Sequence, residues 1–269
     1  MNKLRLAIRH NTTYRYSGPV SYALQQVRLT PKDRPGQRVL DWQLAVSGGA
    51  RQLGFSDQHA NHVDLVSIAR GGTEITLSCT GVVETEDRAG IVGAHGGHLP
   101  LWYFGCETPL TRVGKGVRAL ARAVATDSDP VARLHALSAM VRGAIAYAPG
   151  LTHAETTAEQ ALTLGSGVCQ DHAHSFCAAA RLLGFPARYV SGYLLMDDRE
   201  DQDATHGWAE AHVDAIGWIG FDVSNGISPD ARYVRVATGL DYRDAAPITG
   251  MRFGATSEEM LVTLHVQQQ

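Results

Sequence analysis

The sequence predicts an α+β protein in which an N-terminal β-sandwich precedes a unit of helices and antiparallel strands. Three observations carry that prediction. Residues 1–87 break into short runs rich in β-branched and aromatic residues, separated by Gly, Pro, Asn or Asp. Residues 116–183 switch to Ala- and Leu-rich segments with apolar residues three and four apart, the spacing of a helix face. Residues 187–223 return to strand-like runs.

In the first part the predicted strands are Leu4–Tyr16, Gln25–Thr30, Val39–Val46, His62–Ile68 and Glu74–Val83, enough for a small sandwich. Residues 88–112 hold Gly90, Gly93, Gly96, Gly97 and Pro100 without a clear period, and read as a linker. Residues 113–269 form the predicted second domain, C-terminal strands included. Its helices are expected at Gly116–Thr126 and Asp129–Tyr147, the latter opened by Asp129 as cap and Pro130 in the first turn. Thr156–Leu164 follows, with Thr156 or Thr157 as cap and Glu159 completing a capping box with Thr156. A strong helix then runs from about Gly167 to Leu183, stopped by Gly184 and Pro186. Strand runs come next at Ala187–Met196, His206–Val213 and Trp218–Val223, then at Arg232–Ala237 and Met260–Val266.

Composition narrows the function. The 269 residues are 44% hydrophobic and 19% charged, with a formal net charge of −3, so a sizeable core is available. There is no basic excess, which argues against a nucleic-acid partner. No apolar run is long enough to span a membrane. The opening residues alternate from Leu4 through Ala7 instead of forming a continuous apolar stretch, so the expectation is a cytoplasmic protein. Four scattered cysteines, Cys79, Cys106, Cys169 and Cys177, do not make a disulfide framework. Cys79 and Cys177 are expected to be small buried hydrophobes.

Cys169 differs from the others by its setting, GSGVCQDHAHSFCAAARLLG. With Ser166 as N-cap it falls at the third helical position. Unpaired backbone N–H groups and the positive end of the helix dipole there favour an anionic sulfur, and the same N–H groups suit an oxyanion on an attacked carbonyl. Cys169, Ala173, Phe176, Ala180 and Leu183 share one apolar stripe, so the thiol is expected to face the rest of the domain. From the helix alone, simple packing competes with a nucleophilic role.

Residues 204–226, ATHGWAEAHVDAIGWIGFDVSNG, read as a hairpin with His206, Trp208, Glu210 and His212 on one face. A hairpin centred on Asp214 sets His206 opposite Asp222, Trp208 opposite Gly220 and Trp218 opposite Glu210. Directly paired residues have Cβ atoms about 4.5–5.5 Å apart. Asp222 would then hold one imidazole nitrogen and leave the other for a thiol.

Three segments, GVCQDHAHSFCAAARLLGFPARYVSGYL, HGWAEAHV and GWIGFDVSNG, resemble the Cys, His and Asp blocks of the transglutaminase-like superfamily. The resemblance is to its bacterial members with an N-terminal β domain, and extends to IRHNTTYRYSGPVSYALQQVRLTPKD and ARYVRVATGLDYRDAAPITG. It implies a papain-like core, a Cys-bearing helix packed on an antiparallel sheet. It also implies a triad of Cys169 as nucleophile, His206 as base and then acid, and Asp222 as orienting partner. Val223 stands where the family often has Pro. His174 matches a family position without an assigned role. His172, one turn after Cys169, and Trp208 and Trp218, near the triad, are the candidate substrate-binding residues.

The expected activity is acyl transfer through a thioester on peptide or glutamine-type amides. A thiol protease or amidase is favoured over a broad protein cross-linker. The partner is a peptide or protein substrate, and no cofactor is implied. A metal site from Cys169, His172, His174, Cys177 and His206 is the weaker rival, because no CxxC, HExxH or EF-hand spacing is present. The other rival is a non-catalytic peptide- or protein-binding module that retains the fold.

Overall fold

A computed structural model describes residues 3–124, 129–254 and 257–269. The first six strands are β1 (Lys3–Tyr16), β2 (Tyr22–Val27), β3 (Gln37–Ser47), β4 (Gly49–Ser56), β5 (His62–Ile68) and β6 (Glu74–Glu86). A short β7 (Ile91–Gly93) and a 3-10 turn at Leu101–Gly105 follow. Then come α1 (Lys115–Ala123), α2 (Pro130–Ala144), β8 (Ala146–Tyr147), α3 (Ala158–Leu164), β9 (Ser166–Gly167) and α4 (Cys169–Leu182). The chain ends through β10 (Ala187–Leu194), β11 (Asp201–Gln202), β12 (His206–Val213), β13 (Gly217–Phe221), β14 (Tyr233–Gly239), α5 (Tyr242–Ala245), β15 (Ile248–Phe253) and β16 (Glu258–Gln268). The predicted helix at Gly116–Thr126 thus ends at Ala123, and Thr126 lies outside the described residues.

Two antiparallel sheets, ordered β11-β16-β1-β6-β3 and β15-β2-β5-β4, make the N-terminal sandwich. Strict alternation in β1 buries Leu6, Ile8, His10, Thr12, Tyr14 and Tyr16 while the residues between them face outward or sit at the margin. Tyr14, Leu77, Cys79, Val27 and Val66 form part of the core between the sheets. The sandwich is not built from residues 1–87 alone. β15 pairs with β2 and β16 pairs with β1, so the C-terminal strands leave the helical half and complete the N-terminal sheets. The segment 88–112 is not an open linker either. β7 pairs with β13, and Phe104 of the 3-10 turn packs against Trp218 at a ring-centroid distance of 5.1 Å.

The second half is a five-stranded sheet, β14-β10-β12-β13-β7, against which α4 packs with α1, α2 and α3 around it. Every residue of α4 from Asp171 to Arg181 is buried, so it is a central helix enclosed on all sides, its polar residues included, and not the one-striped helix expected. Its small residues, Ala173, Ala178, Ala179 and Ala180, let neighbouring elements approach closely. The caps differ from expectation too. Thr157 with Gln160 forms the capping box of α3, while Glu159 accepts hydrogen bonds from the backbone N–H groups of Gly114, Gly116 and Val117 and so caps α1. The edge strand β14 is covered by side-chain amides of the sandwich. Gln37 bonds both backbone groups of Arg235, and Asn61 both of Thr238. Among the described residues no helix is long and apolar enough to cross a membrane.

Candidate active site

Cys169 is the first helical residue of α4, following Val168 in extended conformation. Ser166 and Gly167 are not part of that helix, because they pair in parallel with Ala146 and Tyr147. The helix start is fixed by Asp171, whose Oδ2 accepts from Val168 N (2.8 Å) and from Thr152 Oγ1 (2.7 Å). Cys169 is partly exposed, whereas Cys79 and Cys177 are buried and their thiols are pushed up to about 12 by burial.

His206 opens β12, and its Nε2 lies 2.7 Å from Asp222 Oδ2. The route to that contact is not the expected one. The hairpin pairs Glu210 with Gly220 and His212 with Trp218, so it turns about Ala215 and not Asp214. A shift of two in the paired sum keeps every side chain on its face, and His206 meets Asp222 as a diagonal neighbour, within reach of a ring. Trp208 accordingly does not pair with Gly220, nor Trp218 with Glu210.

Asp222 is fully buried. Its Oδ2 also accepts from Tyr233 Oη (2.6 Å) and Asn225 Nδ2 (2.7 Å), and its Oδ1 from Asn225 N (3.2 Å). Burial raises the carboxyl pKa, but the hydrogen bonds and charge of His206, with Tyr233 and Asn225, outweigh it and hold the group below the usual carboxylate range. For His206, burial pulls the pKa down; the hydrogen bond to Asp222 and the polar influence of the nearby Cys169 sulfur override it and raise it to about 10. With Nε2 engaged by Asp222, the other ring nitrogen is left for the sulfur. The raised pKa favours the protonated ring, which can donate a proton during the reaction.

The remaining predicted site residues are placed differently. His172 is 1% exposed and does not line the cleft. Its Nε2 donates to Ile145 O (2.9 Å) and its Nδ1 accepts from Ser224 Oγ (2.8 Å), so it braces α4 against the turn after Asp222. Trp208 is 2% exposed and stacks behind His206 at 6.1 Å between ring centroids, a support and not a surface. Trp218 is 1% exposed at the far end of the hairpin, where its Nε1 donates to His95 Nδ1 and its ring lies 3.8 Å from the Arg188 guanidinium. His174 accepts from Tyr242 N through Nε2 and is buried, its pKa lowered to about 3 by desolvation. It ties α5 to α4.

Asn225 and Tyr233 are the functional neighbours that sequence reasoning missed. Asn225 was findable, since a side chain three residues after an Asp can close an Asx-type turn. Tyr233 arrives from β14 and leaves no local signal. The cleft beside His206, about 770 Å³, is lined by Tyr147, Pro149, Leu194, Met196, Arg232 and Tyr233 among others. Among the described residues no group of three or more His, Cys, Asp or Glu is arranged to hold a metal ion.

Residues 118–223 match the transglutaminase-like superfamily, and residues 6–84 match the bacterial transglutaminase-like N-terminal region. The chain belongs to the transglutaminase-like superfamily. This transglutaminase-like chain is 26% identical over 281 residues to an uncharacterised protein of Mycobacterium leprae, covering 97% of this chain and 98% of the relative. An uncharacterised Mycobacterium tuberculosis protein is likewise 26% identical over 288 residues, covering 97% and 91%. A Cytophaga hutchinsonii protein described as a "Putative Cysteine Protease" shares the fold, with a TM-score of 0.77, 21% identity and 99% of each chain covered.

Proposed function

We propose that this chain is a cysteine-nucleophile acyl-transfer enzyme acting on peptide or glutamine-type amide bonds, with Cys169, His206 and Asp222 as its triad. The observation that carries the reading is the 2.7 Å contact between His206 Nε2 and a fully buried Asp222, with the thiol of Cys169 at a helix start near enough to raise the pKa of the ring. The sulfur attacks the amide carbonyl. The N–H groups of the first turn of α4 face the developing oxyanion, and the imidazolium passes its proton to the departing amine. The neutral ring then takes a proton from water as it attacks the thioester. The carboxylic acid leaves, and the thiolate–imidazolium pair is restored.

Hydrolysis or amide exchange at a restricted set of substrates is the favoured outcome, over broad protein cross-linking. Cross-linking needs large aromatic walls that shield the thioester from water; the indoles of Trp208 and Trp218 are both buried, which leaves the smaller rings of Tyr147 and Tyr233 as the aromatic lining of the cleft. The test supplies glutamine-containing peptides with excess primary amine and follows products by mass spectrometry, with Cys169→Ala as control. Acid products throughout are expected. Amide products dominating at millimolar amine would overturn the hydrolytic preference. A reaction trapped without any thioester on Cys169 would overturn the enzyme reading.

A further inference from the structure

Away from the cleft, the most highly charged enclosed region lies where the sandwich meets the second sheet. A cavity of about 500 Å³ there is lined by Lys32, Arg34, Arg88, Arg188 and Arg235, with Asp33 as the acidic group in the lining. Asp33 already accepts a hydrogen bond from Val39 N (2.7 Å). Glu210, 1% exposed, holds two of the arginines. Its Oε2 accepts from Arg188 Nε (2.6 Å), and its Oε1 from Arg235 Nε (2.8 Å). The Arg188 guanidinium is further fixed over the Trp218 ring. These contacts all lie within the second sheet and account for Arg188 and Arg235.

They do not account for Arg34. It sits in a tight turn closed by reciprocal backbone bonds with Gln37. Its Nε and Nη1 are buried and have no hydrogen-bond partner among the described residues. Glu210 Oε1 lies 4.0 Å from Nη1, an ion pair too long for a hydrogen bond, and the Arg34 side chain as a whole is 22% exposed. A guanidinium does not shed its proton in a protein, so enclosed donors without a hydrogen bond are costly unless a ligand answers them.

We propose that this cavity binds a small molecule bearing at least two oxyanion charges, as phosphate or carboxylate groups, with Arg34 as its principal contact. The volume falls within the usual range of small-molecule sites, roughly 300–1,000 Å³. The planar fork of Arg34 suits a bidentate oxyanion. Lys32 and Arg88, both exposed at the rim, add charge without burying more of it. The cations also repel one another. Burial first, then the charge of Arg235, lowers the pKa of Lys32 and of Arg34. For Arg188, burial outweighs the pull of Glu210, and Arg235 adds to the lowering, to about 10. A bound anion relieves that repulsion.

The test is calorimetric titration of the full chain with pyrophosphate and, separately, citrate, at ionic strength held constant with chloride. Saturable binding of at least one is expected. The tighter probe identifies the natural group as phosphate or carboxylate. Arg34→Gln should weaken binding by about tenfold or more, the loss of one charge-assisted pair. Arg88→Gln, at an exposed position that leaves folding intact, should weaken it several-fold, and decides the matter if the Arg34 variant misfolds. No saturable binding of either probe up to millimolar concentrations overturns the proposal, as does binding unchanged in the folded variants.

Discussion

Cys79 and Cys177 carry thiols pushed up to about 12 by burial; Cys106 and Cys169 are both partly exposed, and of these two Cys169 stands at a helix start near His206. Iodoacetamide near neutral pH should therefore modify Cys169 first. His206→Ala should slow that modification by about tenfold or more, because the ring that takes the proton of the thiol is removed. Asp222→Asn should slow it less, since the ring remains. The Asp222 variant has a clearer signature in the pH profile. Asp222 raises the His206 pKa, so its loss lowers it. The alkaline limb of kcat/KM, set by loss of the imidazolium and expected near pH 10 in the wild type, should move to lower pH in Asp222→Asn. The same raised pKa has a stability consequence. Its contribution is full below the ordinary histidine value of 6.5 and is lost as pH rises through about 10. Wild-type thiol reactivity and an unmoved limb in folded variants would sink the triad.

Among the elements, α4 is set in place by what caps it and its neighbours. Asp171 holds Val168, His172 reaches Ser224, and Glu159 collects the orphan N–H groups of α1. Glu159→Ala should cost about 2 kcal/mol, since three backbone donors lose a charged acceptor at a helix start. Glu159→Gln should cost less. Urea unfolding monitored by circular dichroism measures both, and equal stability of all three proteins would show that solvent replaces the cap. The hairpin shows how much an element's internal geometry matters. Symmetry about Asp214 misplaces each partner by two residues, yet the period of two keeps His206 and Asp222 on a common face.

For the whole molecule, the two halves share strands and an interface. β16 lies between β11 and β1, so residues after the last helix hold the N-terminal sheet together and tie it to the loop before β12. Leu264 and Val266 join Leu6, Tyr193 and Val234 in a core that spans both halves. Deleting residues 257–269 removes both buried side chains, at about 1.5–3 kcal/mol each, and bares the edge of β1. The melting temperature should fall by roughly 10 °C, with association visible on size exclusion. An unchanged melting curve and a monodisperse truncated protein would show that the tail is dispensable for the sheet.

The sequence by itself determined the α+β class, the strand at His206–Val213 to the residue and the helix that carries Cys169, and it named the three residues proposed as the triad. These rest on short-range signals: hydrophobic period, Gly and Pro stops, and blocks of residues contiguous in the chain. The buried state of Cys79 and Cys177 followed the same way. Only the tertiary structure decided the rest. Trp208, Trp218 and His172 look like cleft residues by proximity in sequence, but burial is set by what packs over them, and Tyr233, Phe104 and Ile145 come from distant segments. The return of β15 and β16 to the N-terminal sheets, the folding of 88–112 onto β13, and the meeting of Arg34 with Arg188 and Arg235 are all long-range pairings. A strand's residues specify which face is apolar, but not which distant strand or charge will lie beside it. Those choices are made by the energy of the whole packed chain.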